Sequence, residues 1–151
     1  MNPVKNEELK NAIRDFTKNS SEKNYVKLLN EVVAARLLIP VYMDRKPEYD
    51  EKLQEIVLEK DTQISFELIK SEKGSLYYPV FTDGAEMRKC VEDKDQQSLI
   101  VNFDDLAAML LQPQNKVEGF SVNPLSDDIR FSAEMVEAMK KDMEKEKTEI
   151  E

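Results

Sequence analysis

Apolar residues recur along this chain at spacings that switch between helical and strand-like, and the switches mark out its elements. Leu9, Ile13 and Phe16 fall three or four apart within Asn6 to Lys18, which predicts an amphipathic helix. After a break at Asn19-Ser20, Tyr25, Leu28, Leu29, Val32 and Val33 repeat the pattern and predict a second. The run Leu37 to Met43 is rich in strand formers, and its proline, Pro40, suits a strand end, an edge or a bulge. Asp44 to Asp61 is charged and weakly patterned; it reads as a surface excursion in which Tyr49, Leu53, Ile56 and Val57 permit a short helix.

Beyond it, Ile64, Phe66 and Leu68 alternate with their neighbours, Ser71 to Gly74 makes a turn, and Leu76 to Phe81 returns, the signature of a hairpin. Asp83 and Glu86 have the spacing of a capping box and predict a helix from about Gly84 to Val91. Ser98 to Val101 is a short apolar strand. Asn102 to Asp105 then supplies a cap, and Leu106, Met109 and Leu110 recur at helical spacing until Pro113. Gly119 to Val122 reads as a strand, Asn123 to Asp127 as a turn and Ile129 to Phe131 as another strand. Ser132 caps a last helix with Val136, Met139 and Met143 on one face.

These elements assemble into an α+β fold: a central, mostly antiparallel sheet of about five or six strands with helices packed on it, two at the N-terminus and one at the C-terminus. Strand order does not follow from the pattern. With 151 residues the chain has the length of one ordinary domain, able to bury roughly 70% of its unfolded surface. No repeat, linker or low-complexity block divides it, so residues 1–151 read as a single domain with its core over about 7–141 and a solvated helical tail over 142–151.

Charge narrows the partners. Thirty-one acidic against 22 basic residues give a net charge of −9, which disfavours nucleic acid and anionic membrane surfaces. No stretch reaches the roughly 20 apolar residues of a membrane helix, and the start lacks the apolar run of a secretory signal. A lone cysteine, Cys90, permits no intrachain disulfide, so a cytoplasmic address is expected. The sequence contains no histidine, which removes imidazole bases, Ser-His and Cys-His pairs and His-containing zinc sites.

Two opening helices, the strand Leu38-Ile39-Pro40-Val41, the segment Tyr78-Pro79-Val80-Phe81-Thr82-Asp83 and the turn Val122-Asn123-Pro124 occur in one order. The set resembles the N-terminal domain of the bacterial SseB family, over roughly Glu7 to Lys141. Where that family has Ser after its Pro-Val-Phe-Thr segment, this chain has Asp83, which keeps an N-cap acceptor. The family takes its name from a serine-sensitivity phenotype, and the resemblance implies no catalytic residues. Many members carry a second, C-terminal domain, for which 151 residues leave no room.

Two loops are candidates for a ligand or partner site. Phe81, Thr82 and Asp83 lead into a helix start whose free N–H groups suit an anion, although Asp83 repels one and a strand end flowing into a capped helix accounts for every residue. Asn123 and Pro124 form a loop held at low entropic cost, and Asn-Pro is also an ordinary turn initiator. The five residues make one site only if both loops lie at the same end of the sheet. Cys90 reads as structural, because a helix C-terminus raises rather than lowers a thiol's pKa. Asp104-Asp105 and Asp127-Asp128 point apart, and Gly74, Gly84 and Gly119 are too scattered to cradle phosphate, so no metal and no cofactor is expected.

The expectation is a non-catalytic interaction or regulatory module with a protein partner. The alternatives are an inhibitor or immunity-type protein masking a basic partner, marked by a compact acidic patch, and an enzyme or small-ligand domain built on carboxylates.

Overall fold

The computed structural model describes residues 4–43, 48–50, 55–57, 64–91 and 96–150. The chain opens with helices α1 (Glu7–Lys18) and α2 (Glu22–Ala34), followed by strands β1 (Leu37–Met43), β2 (Glu48–Asp50), β3 (Glu55–Val57), β4 (Ile64–Phe66), β5 (Ile69–Lys70) and β6 (Leu76–Val80). Then come α3 (Gly84–Cys90), β7 (Gln97–Val101), α4 (Phe103–Leu110), β8 (Gly119–Val122), β9 (Ile129–Ser132) and α5 (Ala133–Ile150). The fold is α+β, with helices at both ends as the periodicity predicts.

The caps at Asn102 and Ser132 follow the sequence signals, and Ser21 adds one that no signal named. Ser21 accepts from the Asn24 N–H at the start of α2, Asn102 and Asp105 complete a capping box on α4, and Ser132 accepts from the Met135 N–H. At α3 only half the expected box forms. Asp83 accepts from the Glu86 N–H, while the Glu86 carboxylate turns away to Lys89 and Ser126.

The central sheet is two abutting sheets, ordered β4-β1-β7 and β5-β6-β8-β9, and every pairing is antiparallel except β6 with β8. They are stitched by one antiparallel bridge, in which Leu38 donates to the Phe81 carbonyl at 2.9 Å and Phe81 donates to Leu38 at 2.8 Å.

That bridge explains why the expected hairpin of Ile64–Leu68 with Leu76–Phe81 divides. Phe81 occupies the first half of one edge of β1, so the returning strand meets only the second half, pairing Val41 with Phe66 and Met43 with Ile64. Past Glu67-Leu68 the chain changes partner, and just Ile69 and Lys70 pair with β6. The Ser71–Gly74 turn closes as expected, with Gly74 at a φ of 89°.

The same seam accommodates two prolines. By strand alternation Pro40 faces the edge that Leu38 turns toward Phe81, at the point where β1 exchanges Phe81 for β4; its carbonyl accepts from Glu67. Pro79 faces the corresponding edge of β6, between its pairing with β5 and its bridge to β1. Neither proline can donate, and both sit where the ladder changes partners. Pro40 therefore lies in the middle strand of its sheet rather than at an edge.

The short helix expected between Asp44 and Asp61 is absent among the described residues. Glu48–Asp50 and Glu55–Val57 instead form an antiparallel pair with Tyr49 opposite Ile56, in keeping with the strand preference of aromatic and β-branched residues; Leu53 lies outside the described residues.

One face of each sheet packs on the helices. Leu37, Ile39 and Val41 of β1 join Val80, Phe120, Val122 and Phe131 with Leu9, Ile13, Leu28, Val32, Leu106, Leu110 and Val136 in one buried cluster. Phe120 and Phe131 face each other across β8 and β9 with ring centroids 5.0 Å apart. Gly119 at the start of β8 lies so close to β9 that a Cβ there would collide with the Phe131 carbonyl group. No helix among the described residues is long and apolar enough to cross a membrane.

Candidate functional site

Because β6 and β8 are parallel neighbours, with Val80 beside Val122, the segments that follow them emerge side by side. Phe81, Thr82, Asp83, Asn123 and Pro124 therefore come together at one end of the four-stranded sheet, meeting the condition for a single site. They do not share one role. Phe81, Thr82 and Asn123 are buried, while Asp83 and Pro124 are half-buried.

Asn123 is the clamp between the two segments. Its Oδ1 accepts from the Thr82 N–H at 3.1 Å, and its Nδ2 donates to Thr82 Oγ1 at 3.1 Å and to the Asp127 carboxylate at 3.0 Å. Its own N–H donates to the Val80 carbonyl at 2.9 Å. The Asn123 carbonyl receives the N–H groups of Ser126, at 3.0 Å, and Asp128, at 2.9 Å, closing the loop over residues 123–128. Asn123 and Asp128 have φ of 50° and 48°, a left-handed conformation that Asn and Asp tolerate better than other residues with side chains.

Further contacts brace the loop from outside. Ser126 Oγ donates to Glu86 at 2.7 Å, tying the loop to α3, and Lys89 holds the other Glu86 oxygen at 2.9 Å. Asn6, just before α1, donates to the Thr82 carbonyl at 2.7 Å and to the Arg36 carbonyl at 2.8 Å. Lys10 closes a 2.9 Å ion pair on Asp83. On the far side of the loop, Ser121 donates to Asp128 at 2.8 Å, and the Arg130 guanidinium forks onto that carboxylate while lying 5.3 Å from the centre of the Tyr77 ring.

The electrostatics follow from these contacts. Burial alone would raise the Asp83 carboxyl, but the Glu86 N–H and the Lys10 ammonium outweigh it and hold the group below its usual range. Glu86 is likewise held low, with burial opposed by Lys89 and Ser126. The hydrogen bond to Asp83 pushes Lys10 up. Asp83 already occupies the Glu86 N–H at the start of α3, where an anion was one expectation. Cys90, at the end of α3, is half-buried, and burial together with the nearby Glu67 raises its thiol, in keeping with the structural role expected of it.

What stands clear of this network is Leu125, 64% exposed between Pro124 and Ser126. The sequence pattern did not single it out, nor Lys10, and it marked Glu86 only as a capping-box residue of α3. A lone apolar residue inside the polar turn Asn-Pro-Leu-Ser-Asp was the available signal for Leu125; nothing local announced Lys10, or the turn of the Glu86 carboxylate toward Ser126.

The segments that build this end of the sheet are those quoted above for the family resemblance, and a model of the SseB protein N-terminal domain matches residues 9–138. The chain belongs to that family. No curated protein and no solved structure matches it. In this SseB domain Pro40 and Pro79 lie on the seam between the sheets, and Thr82 and Asn123 form the clamp beneath the exposed loop.

Proposed function

We propose that this SseB domain is a non-catalytic, cytoplasmic protein-interaction module whose contact surface is the loop between β8 and β9, with Leu125 at its tip. The observation that carries the reading is the contrast along three residues, from Asn123 at 1% exposure to Leu125 at 64%. A loop already fixed by Asn123, Ser126 and Asp128 loses little further freedom on binding, so burial of its leucine by a partner goes largely into affinity.

Two further facts support a binding role. Asp83 and Glu86 are displaced in the same direction, whereas an acid–base pair needs its two carboxyls pushed apart. The net charge of −9 favours a protein partner over nucleic acid or an anionic membrane.

The test is affinity purification of the tagged domain from its native lysate beside a Leu125→Asp variant. The reading expects a stoichiometric protein that copurifies with the wild type and is lost from a variant whose melting temperature is unchanged. A partner retained by the variant would place the contact elsewhere.

A further inference from the structure

The face of the β5-β6-β8-β9 sheet turned away from the helices holds a pocket of about 420 Å³, lined by Ser71, Glu72, Lys73, Ser75, Tyr77 and Arg130. Strand alternation puts Tyr77 and Arg130 on this face, since their neighbours Tyr78 and Phe131 pack with the core. Short residues on β8 between them, Gly119 and Ser121, let the Arg130 guanidinium cross to within 5.3 Å of the centre of the Tyr77 ring. The turn after β5 forms the other wall and is fixed from within. The Ser71 N–H donates to the Ser75 carbonyl at 2.8 Å, the Gly74 N–H to the Ser71 carbonyl at 2.9 Å and the Ser75 N–H to Ser71 Oγ at 3.1 Å. Walls set before binding leave little to be ordered by a ligand.

The lining is rich in donors. Ser71 Oγ accepts from Ser75, so its O–H is left to donate, and Ser75 and Tyr77 add two more hydroxyls. Asp128 takes two of the five N–H donors of Arg130. Lys73 is exposed and makes no ion pair among the described residues. The same holds for Lys70, whose Cε lies 3.7 Å from the place a Cβ on Gly74 would take, so a second ammonium stands beside the turn. Five of the six lining side chains can donate, and the exposed Glu72 is the one carboxylate among them. In a chain of net charge −9, two unpaired lysines flanking an arginine at one pocket are a local reversal of sign.

We propose that this pocket binds the phosphate monoester group of a small metabolite. Such a donor set calls for a ligand head that only accepts, and the planar guanidinium suits the oxygens of a phosphate. A monoester carries about two negative charges at neutral pH, one for each unpaired lysine, where a carboxylate brings one. The volume falls within the range of roughly 300–1,000 Å³ usual for small-molecule sites, which leaves room for an organic body beside the Tyr77 ring.

Titration of the isotope-labelled full chain with phenyl phosphate, followed by amide NMR at constant ionic strength, tests it. Saturable shifts are expected at Ser71 to Tyr77 and at Arg130, with a Kd at or below about 1 mM. Lys73→Glu and Arg130→Gln each weaken binding by about tenfold or more, since each removes a charged donor. Thermal melting followed by circular dichroism establishes that both variants are folded, and Lys73 is exposed on a turn that its side chain does not hold together. Inorganic phosphate and benzoate bind more weakly than phenyl phosphate, the first for want of the ring and the second for want of charge. The proposal is overturned by shifts that do not saturate by about 20 mM, by saturation elsewhere on the chain, or by binding that ignores Lys73→Glu. Benzoate that binds as tightly as phenyl phosphate overturns the choice of phosphate, and inorganic phosphate that does so overturns the choice of an ester.

Discussion

Replacing Asn123 with alanine probes the contact that joins the two site segments. The substitution strips the acceptor from the Thr82 N–H and a donor from Thr82 Oγ1, and both groups belong to a residue with 0% exposure. A buried backbone donor left unpaired costs about 1–3 kcal/mol, and the hydroxyl's lost partner adds about 1 kcal/mol. Alanine must also hold the φ of 50° that asparagine tolerates, at about 1 kcal/mol more. The expected loss of unfolding free energy is about 4 kcal/mol, a large share of the 5–15 kcal/mol typical of a domain. Equilibrium urea denaturation measures it directly, with the m-value checking that the transition remains two-state. Asn123→Gly separates the two contributions, because glycine accepts the backbone angle while removing the same hydrogen bonds; it should recover about 1 kcal/mol relative to alanine. A loss below about 1 kcal/mol for Asn123→Ala would refute the clamp.

Four other outcomes follow from the geometry. Gly119→Ala forces a Cβ into the β9 backbone and should abolish folding or lower stability by more than about 3 kcal/mol, measured by urea denaturation; a near-neutral result would mean that β8 and β9 are spaced more widely. Leu125→Ala removes an exposed side chain and should stay within about 0.5 kcal/mol of wild type. Because the carboxyl of Asp83 is lowered on folding, its contribution is present above the unfolded carboxylate value near 3.9 and is lost as pH falls through the lower folded value. Lys10, raised on folding, contributes below its unfolded value near 10.4 and loses that contribution as pH rises through the folded one. The stability gap between wild type and Asp83→Asn should thus be flat from about pH 5 to 9 and close at both extremes in pH-dependent denaturation. At pH 8 Cys90 should react with a disulfide reagent more slowly in the native chain than in urea, since burial and Glu67 suppress its thiolate.

The legible parts of the fold were those in which one face of an element meets one core. Helix periodicity located α1, α2, α4 and α5, and strand-forming runs bounded by turn signals found β1, β6, β8 and β9. Pairing was harder to read, because partners are chosen by residues far away in sequence. Ile64 to Phe66 alternates like half of a hairpin, yet it pairs with β1, since Phe81 leaves that edge vacant for only half its length. Tyr49, Ile56 and Val57 are spaced well enough for a helix, and their intrinsic strand preference won. In the site, Asp83 and Asn123 stood out as cap and turn residues, which places them correctly at element ends. That Asn123 would spend its amide on Thr82, 41 residues away, depends on the parallel pairing of β6 with β8, and no local pattern encodes it.

The two prolines at the seam govern something the hydrophobic pattern leaves open. A one-residue slip of a strand turns its apolar side chains to the wrong face and is rejected by burial, but a two-residue slip preserves every facing. At the bridge between the sheets, one such slip would set Pro40 in the place of Leu38, and the opposite slip would set Pro79 in the place of Phe81. Both places require an N–H, since Leu38 and Phe81 each donate across the bridge. Proline has none. One proline blocks the neighbouring register in each direction, so the relative setting of the two sheets is secured by two hydrogen bonds and by two bonds that cannot form.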